Sequence, residues 1–269
     1  MILYFWMILQ IIGESLPISS SGHVALLQQL CMRYHMLTCD RFAEVWAFDY
    51  LLQGISAVIF FIYFFPIWWQ LIVQKPFSLH ALCDKNLWLS TVPQLFVFGC
   101  IADGITFLCW NFDLVDMMVI PLWCGFMITA GALWSLQYTQ EKKLQSIWSY
   151  KNGCLVGCMQ GLSLFPGVSR FAITITTLQW LGYSSRTAFA ISFLLQWPLI
   201  VAGSIKGYAA LQDQVVLDTI WSLPFCLIVL LSSVIAFVIF CLVGKMIDKN
   251  MLWKFSYYMI IPITIALTI

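Results

Sequence analysis

Along most of this chain, apolar residues follow one another without the polar interruptions that a water-facing helix or strand would carry. Crossing a bilayer takes about 20 apolar residues in a helix. Uncharged stretches of that length occur at Tyr50–Gln74, Met117–Gln140 and Thr219–Gly244. Leu87–Trp110 (which contains Asp103), Thr187–Ile205 and the shorter Phe255–Ile269 complete six predicted spans. Two further apolar segments break in the middle. Met1–Leu30 is interrupted at Pro17-Ile18-Ser19-Ser20-Ser21-Gly22-His23, and Gly153–Gly182 at Pro166-Gly167-Val168-Ser169-Arg170. The halves, roughly 10–16 residues each, are too short to span. A helix broken at membrane depth is tolerated only where its backbone lines protein or a wet cavity. Both segments are therefore predicted to be re-entrant hairpins.

The resulting order is hairpin, three spans, hairpin, three spans. Three is odd, so the second unit enters the membrane upside down relative to the first. The predicted fold is an all-α integral membrane protein with two inverted-topology repeats, each a re-entrant helical hairpin plus three transmembrane helices. It forms a single membrane domain, 1–269, with repeat one at about 1–140 and repeat two at about 150–269. Such repeats place their binding site near the bilayer midplane, where the broken helices meet.

Composition supports a lipid solvent. Charged residues make up 9% of the 269, against about 25% in soluble domains. The net charge of +1, with no basic stripe, excludes nucleic acid as a partner. Loop charge orients the chain. Lys75 and Lys85, Lys142, Lys143 and Lys151, and Lys245, Lys249 and Lys254 form three basic loops, whereas Asp113, Asp116, Asp213 and Asp218 make two others acidic. Basic loops favour the cytoplasm, which leaves both termini and the acidic loops outside. The ten Cys lie mostly in apolar runs, where they read as small packing residues. Met1–Ile12 has no basic flank, so it reads as part of the first hairpin and not as a cleavable signal.

The polar residues inside the hairpins carry the chemistry. Gln10 and Glu14 are four apart and share a helix face. A carboxylate within an apolar run is costly and usually serves a cavity. Pro17 and the cluster Ser19, Ser20, Ser21, Gly22 and His23 predict a capped second half-helix whose N-terminal N–H groups form an anion site. In a helix beginning near Pro17, His23 lies on the same face as Ser20 and reaches its hydroxyl. Gly167, Ser169 and Arg170 repeat the device, with Thr174 one turn on; the arginine fork suits phosphate. A structural ion pair between Glu14 and Arg170 would use the same two residues. Together these are the parts of a phosphoryl-transfer site.

Gln10-x-x-x-Glu14-x-Leu16-Pro17-Ile18-Ser19-Ser20-Ser21-Gly22-His23 resembles the first signature of the bacterial undecaprenyl-diphosphatase (bacitracin-resistance) family. Pro166-Gly167-Val168-Ser169-Arg170-x-x-x-Thr174 resembles its second, and Gln53-Gly54, Ser192-Phe193-Leu194-Leu195 and Pro198 are also similar. The resemblance implies an inner-membrane enzyme, its site opening outward, that hydrolyses undecaprenyl pyrophosphate to undecaprenyl phosphate, the carrier lipid of cell-wall synthesis. It implies that Gln10 and Glu14 hold a divalent cation, Mg²⁺ or Ca²⁺. Glu14, Ser20, His23 and Arg170 would be catalytic, with Ser20, His23 or a metal-bound water as the nucleophile. Ser19, Ser21, Gly167, Ser169, Arg170 and Thr174 would bind phosphate. The expected partners are the polyprenyl pyrophosphate, membrane lipids and a second copy in a homodimer. Phe171 and Ala172 depart from the serine and glycine common in the family, and Gly13 from a threonine. Two other readings use the same parts: a polyprenyl-phosphate translocator, and a lipid-binding paralogue that does not cleave.

Overall fold

The computed structural model describes residues 2–34, 42–73, 120–139, 150–211 and 222–269. The expected span Leu87–Trp110, with Asp103, and the loop charges Lys75, Lys85, Asp113, Asp116, Lys142, Lys143, Asp213 and Asp218 lie outside the described residues. Every regular element among the described residues is helical.

The first predicted hairpin is α1 (Ile2–Glu14) and α2 (Ser20–Arg33), packed on each other. α3 (Phe42–Val73) follows. α4 (Leu122–Ser135) is shorter than the span predicted over Met117–Gln140: it tightens into a 3₁₀ turn at Leu136–Tyr138. The second hairpin is α5 (Tyr150–Gly161) and α6 (Arg170–Trp180), also packed together. α7 (Ser185–Ala210), α8 (Leu223–Asp248) and the shorter apolar α9 (Leu252–Thr268) complete the chain. Among the described residues, three helices are long and apolar enough to cross a membrane: Ala47–Pro66 within α3, then α7 and α8.

α8 shows how the sequence specifies its surroundings. Leu223, Leu227, Leu230, Leu231, Val234, Val238 and Leu242 recur at helical spacing and are all exposed. Phe225, Ser232, Ala236, Phe240 and Gly244 on the opposite face are buried. The exposed stripe is the apolar one and the small or polar residues point inward, the reverse of a helix in water.

Between lipid-soaked helices apolar burial contributes little, and close packing holds them together. α3 and α7 show this most clearly. Gly203 and Gly207, four apart on α7, lie against α3, and a methyl group on Gly207 would sit 2.6 Å from the Ala47 carbonyl oxygen. The backbones therefore touch, and Ser204 donates a hydrogen bond to the Leu51 carbonyl at 3.2 Å. Beside this contact, Phe60, Phe64, Phe189, Phe193 and Phe240 interlock with ring centroids 4.5–6.1 Å apart. Each such pair contributes about 0.5–1.5 kcal/mol beyond its area. At the rim, Arg186 and Asp248 make a two-pronged ion pair, 2.8 and 3.0 Å, that ties α7 to α8. Both side chains are largely exposed, so the pair contributes about 0–1 kcal/mol.

Candidate active site

Both hairpins turn at the same place. A methyl group on Gly22 would lie 2.6 Å from the Gly167 Cα, so the two turns meet backbone to backbone. Gly167 takes φ +88°, a left-handed conformation open mainly to glycine. Its own missing side chain leaves room for α4, whose Leu122 carbonyl and Phe126 amide would each lie 2.8 Å from a methyl group there. Thr129 of α4 bolts this turn down: its hydroxyl donates to the Gly167 carbonyl at 2.7 Å and accepts from the Ser169 amide at 2.8 Å.

In the first hairpin, α1 ends at Glu14 and a turn over residues 15–18 leads to Ser19. The second half-helix begins at Ser20, three residues later than the proline suggests. Ser19 is its cap, accepting from the Gly22 amide at 3.2 Å. Ser19 has φ 65°, a strained backbone for a non-glycine residue, worth about 1–3 kcal/mol. The turn brings Ser20 back over Glu14. The Ser20 hydroxyl donates to Glu14 Oε1 at 2.7 Å, and Gln10 Nε2 donates to the same oxygen at 3.2 Å. Gly13 makes this approach possible, since a methyl group there would press to 3.1 Å from Ser20 Cβ.

His23 does not take up the predicted pairing with Ser20. Its Nδ1 lies 2.8 Å from the Ser19 carbonyl oxygen, and its Nε2 lies 3.1 Å from the Tyr258 hydroxyl. Ser20 turns instead to Glu14. The physical reason is the helix break: once Ser19 is the cap, His23 folds back on the cap's own carbonyl.

In the second hairpin, Ser169 caps α6 by accepting from the Ala172 amide at 3.3 Å. Arg170 is the first residue of α6. Its Nε donates to Ser163 at 3.1 Å, and the Ser163 hydroxyl donates in turn to the Gln160 carbonyl at 2.6 Å. The guanidinium charge reaches both Glu14 and Tyr50, so the cation of one hairpin faces the anion of the other. Thr174 is fully buried, and its hydroxyl donates to the Arg170 carbonyl at 2.7 Å. Ser21 is exposed, its hydroxyl 3.5 Å from that of Ser19. Phe171 turns away from the site into the aromatic core, against Phe193 at 4.8 Å and Phe189 at 5.7 Å.

A divalent cation has a plausible donor set here. Gln10 is 1% exposed, and its carbonyl oxygen Oε1 has no hydrogen-bond partner. An orphaned buried acceptor beside a carboxylate suits a hard cation. Among the described residues no three His, Cys, Asp or Glu side chains converge.

Three neighbours of the site escape sequence reasoning. Asp49 of α3 accepts from Trp6 at 2.6 Å and feels the charge of Glu14. An ionisable residue bordering an uncharged run was the available signal. Thr129 and Tyr258 carried no such signal, being an ordinary threonine and an ordinary tyrosine in apolar helices.

Comparison with known proteins points in one direction. The family model described as Bacitracin resistance protein BacA matches residues 4–264. An undecaprenyl-diphosphatase of Thermotoga maritima is 29% identical over 258 residues, covering 93% of this chain and 92% of the relative. That of Methanosphaera stadtmanae is 31% identical over 277 residues, covering 96% and 94%. That of Elusimicrobium minutum is 32% identical over 202 residues, covering 74% and 72%.

Proposed function

The chain belongs to the bacitracin resistance protein BacA family, and we infer that it is a membrane phosphatase hydrolysing undecaprenyl pyrophosphate to undecaprenyl phosphate and phosphate. The product is the carrier lipid that cell-wall synthesis reuses. The observation that carries this reading is the meeting of the two hairpin turns at Gly22 and Gly167. It brings Glu14, with Ser20 hydrogen-bonded to it, within electrostatic reach of Arg170.

The chemistry follows from the hydrogen bonds. Ser20 already donates to Glu14, so attack by its oxygen on the terminal phosphorus would pass the hydroxyl proton to Glu14. The new bond is Ser20 Oγ–P; the bond that breaks joins that phosphorus to the bridging oxygen, which leaves as undecaprenyl phosphate. Water then releases the phosphate from Ser20. In the competing route water attacks directly and Ser20 only orients the phosphate. Arg170 neutralises charge gathering on the transferring group. The α2 and α6 N-termini, with Ser19, Ser21, Gly167 and Ser169 around them, cradle its oxygens, while Thr174, buried and bonded to the Arg170 carbonyl, supports that turn from inside. Gln10 and Glu14 would hold a Mg²⁺ or Ca²⁺ ion, which when bound supplies charge neutralisation for the phosphates.

The architecture belongs to the same proposal: one membrane domain, 1–269, of two inverted repeats with the site opening outward from the inner membrane. Two pairings of helices support it. The repeat would equate α3 with α7 and α4 with α9, and each pair is in contact. A 26-residue α8 is about 39 Å long, so its ends lie on opposite faces of the membrane. Lys245, Lys249 and Lys254 are exposed around its C-terminal end. A cysteine at Ser222 should therefore react with an impermeant reagent in intact cells, and one at Lys249 only after permeabilisation. The reverse pattern would invert the topology. A homodimer completes the proposal, and cross-linking in native membranes tests it.

The function itself is tested with purified protein in detergent, Mg²⁺ and a long-chain prenyl pyrophosphate. Stoichiometric phosphate release is expected. Binding without release, or lipid movement across proteoliposomes without release, would establish one of the other two readings instead.

A further inference from the structure

Once Ser20 gives its proton to Glu14, His23 has no serine to serve. Its surroundings nevertheless fix it closely. The Ser19 carbonyl can only accept, so Nδ1, 2.8 Å away, carries the ring proton. Nε2 is then a lone pair, and the Tyr258 hydroxyl 3.1 Å away donates to it. The tyrosine ring also stacks on the imidazole, centroids 5.7 Å apart and 16° from parallel, while Phe126 meets the ring edge-on at 5.2 Å. His23 is 8% exposed and Tyr258 39%. Tyr258, brought by α9 from 235 residues away, is thus the more open partner, and its hydroxyl covers the only ring nitrogen able to take a proton. Packing alone would be met by a phenyl ring.

We propose that Tyr258 is a positioning residue of the phosphatase: it holds His23 as a neutral imidazole with Nε2 as the working nitrogen, and releases that nitrogen to the attacking water. This rests on the phosphatase reading above. It holds on either route, since each includes a water whose oxygen bonds to phosphorus. As that O–P bond forms, the P–O bond to the leaving oxygen breaks and its electron pair departs with that oxygen. One water proton goes to Nε2, and the other stays on the phosphate formed.

The experiment pairs kinetics with ¹⁵N NMR of histidine-labelled protein. The chain has three His, so His23 is assigned by replacing His35 and His80. In the unsubstituted protein His23 should show a protonated Nδ1 and a hydrogen-bonded Nε2. In Tyr258→Phe the Nε2 resonance should move toward that of a free lone pair. With that, kcat should fall roughly three- to tenfold at unchanged KM, the size expected for one lost hydrogen bond. An Nε2-protonated His23 in the unsubstituted protein overturns the proposal whether or not the variant folds. So does a Tyr258→Phe enzyme with unaltered Nε2 resonance or unaltered kcat. Absence of phosphate release by the unsubstituted protein would instead sink the phosphatase reading, and the resonances would still report on the pair.

Discussion

The two hairpins look alike as sequence but spend their polar groups differently. In the first, most of the side-chain bonds run to other side chains, Ser20 and Gln10 to Glu14 and His23 to Tyr258, with backbone partners only at the Ser19 cap. In the second, side chains bond mostly to backbone: Ser163 to the Gln160 carbonyl, Thr174 to the Arg170 carbonyl, Ser169 to the Ala172 amide. A hydroxyl that donates to its own helix backbone has its hydrogen committed there. Side chains satisfied by one another form a network whose protons can move. On the phosphatase reading proposed above, the first hairpin is then the reacting half and the second the holding half, presenting one charge, Arg170, from a capped helix start.

The largest expected effect tests the reacting half. Ser20→Ala should lower phosphate release roughly 10³-fold or more if Ser20 is the nucleophile, since loss of a nucleophile is rarely rescued. Ser19→Ala and Ser21→Ala control for damage to the cap. Activity within about tenfold of the unsubstituted enzyme, at normal expression, decides for direct attack by water, because one lost hydrogen bond costs no more.

Next comes the charge that the holding half presents. Arg170→Lys keeps the charge but loses the planar fork. Losing one charge-assisted pair costs about 1.5–3 kcal/mol, a drop of about 10- to 150-fold. Normal turnover by this variant would remove Arg170 from the phosphate clamp and leave it as a structural partner of Glu14.

Thr129 should come third, because it acts on the holding half from outside. Thr129→Val has the same shape but orphans the buried Gly167 carbonyl and Ser169 amide, each worth about 1–3 kcal/mol. The turn should loosen, lowering kcat about tenfold through misplacement of Arg170, and Thr129→Ser should restore it. If valine leaves kcat untouched, α4 does not hold the site.

How much of this could be read from the sequence follows from where each contact lies along the chain. The two breaks were legible because proline, glycine and serine interrupt long apolar runs, and the breaks lie where expected. The separate roles within the first hairpin were not. Helical periodicity pairs Ser20 with His23, but Ser20 meets Glu14 across a break, six residues back, where no periodicity holds. The partner of His23 comes from the far end of the chain, and no local pattern marks one tyrosine among ten. The length of α4 was misjudged for a related reason. Apolarity continues to Gln140, but helix geometry tightens from Leu136, where Thr139 turns to Gln179 of α6.

The smallest effect on catalysis should come from the position that looks most suspect in the sequence. Phe171 stands where the family resemblance leads one to expect serine, next to the arginine, and its phenyl group looks like a missing phosphate contact. The structure turns it the other way. It is 4% exposed and packs against Phe189 and Phe193, on the face of α6 that meets α7. A hydroxyl placed there would meet aromatic rings and no phosphate. Phe171→Ser should therefore leave kcat and KM per folded molecule within about twofold, while emptying a buried aromatic site costs about 3–5 kcal/mol of stability. Phe171→Leu, which keeps most of the volume, should recover much of that loss. The measurement is thermal unfolding in detergent beside phosphate release from the folded fraction. A gain of tenfold or more in kcat for Phe171→Ser would mean that this face of the second hairpin reaches the substrate. The division between a reacting and a holding half would then fail at its clearest point.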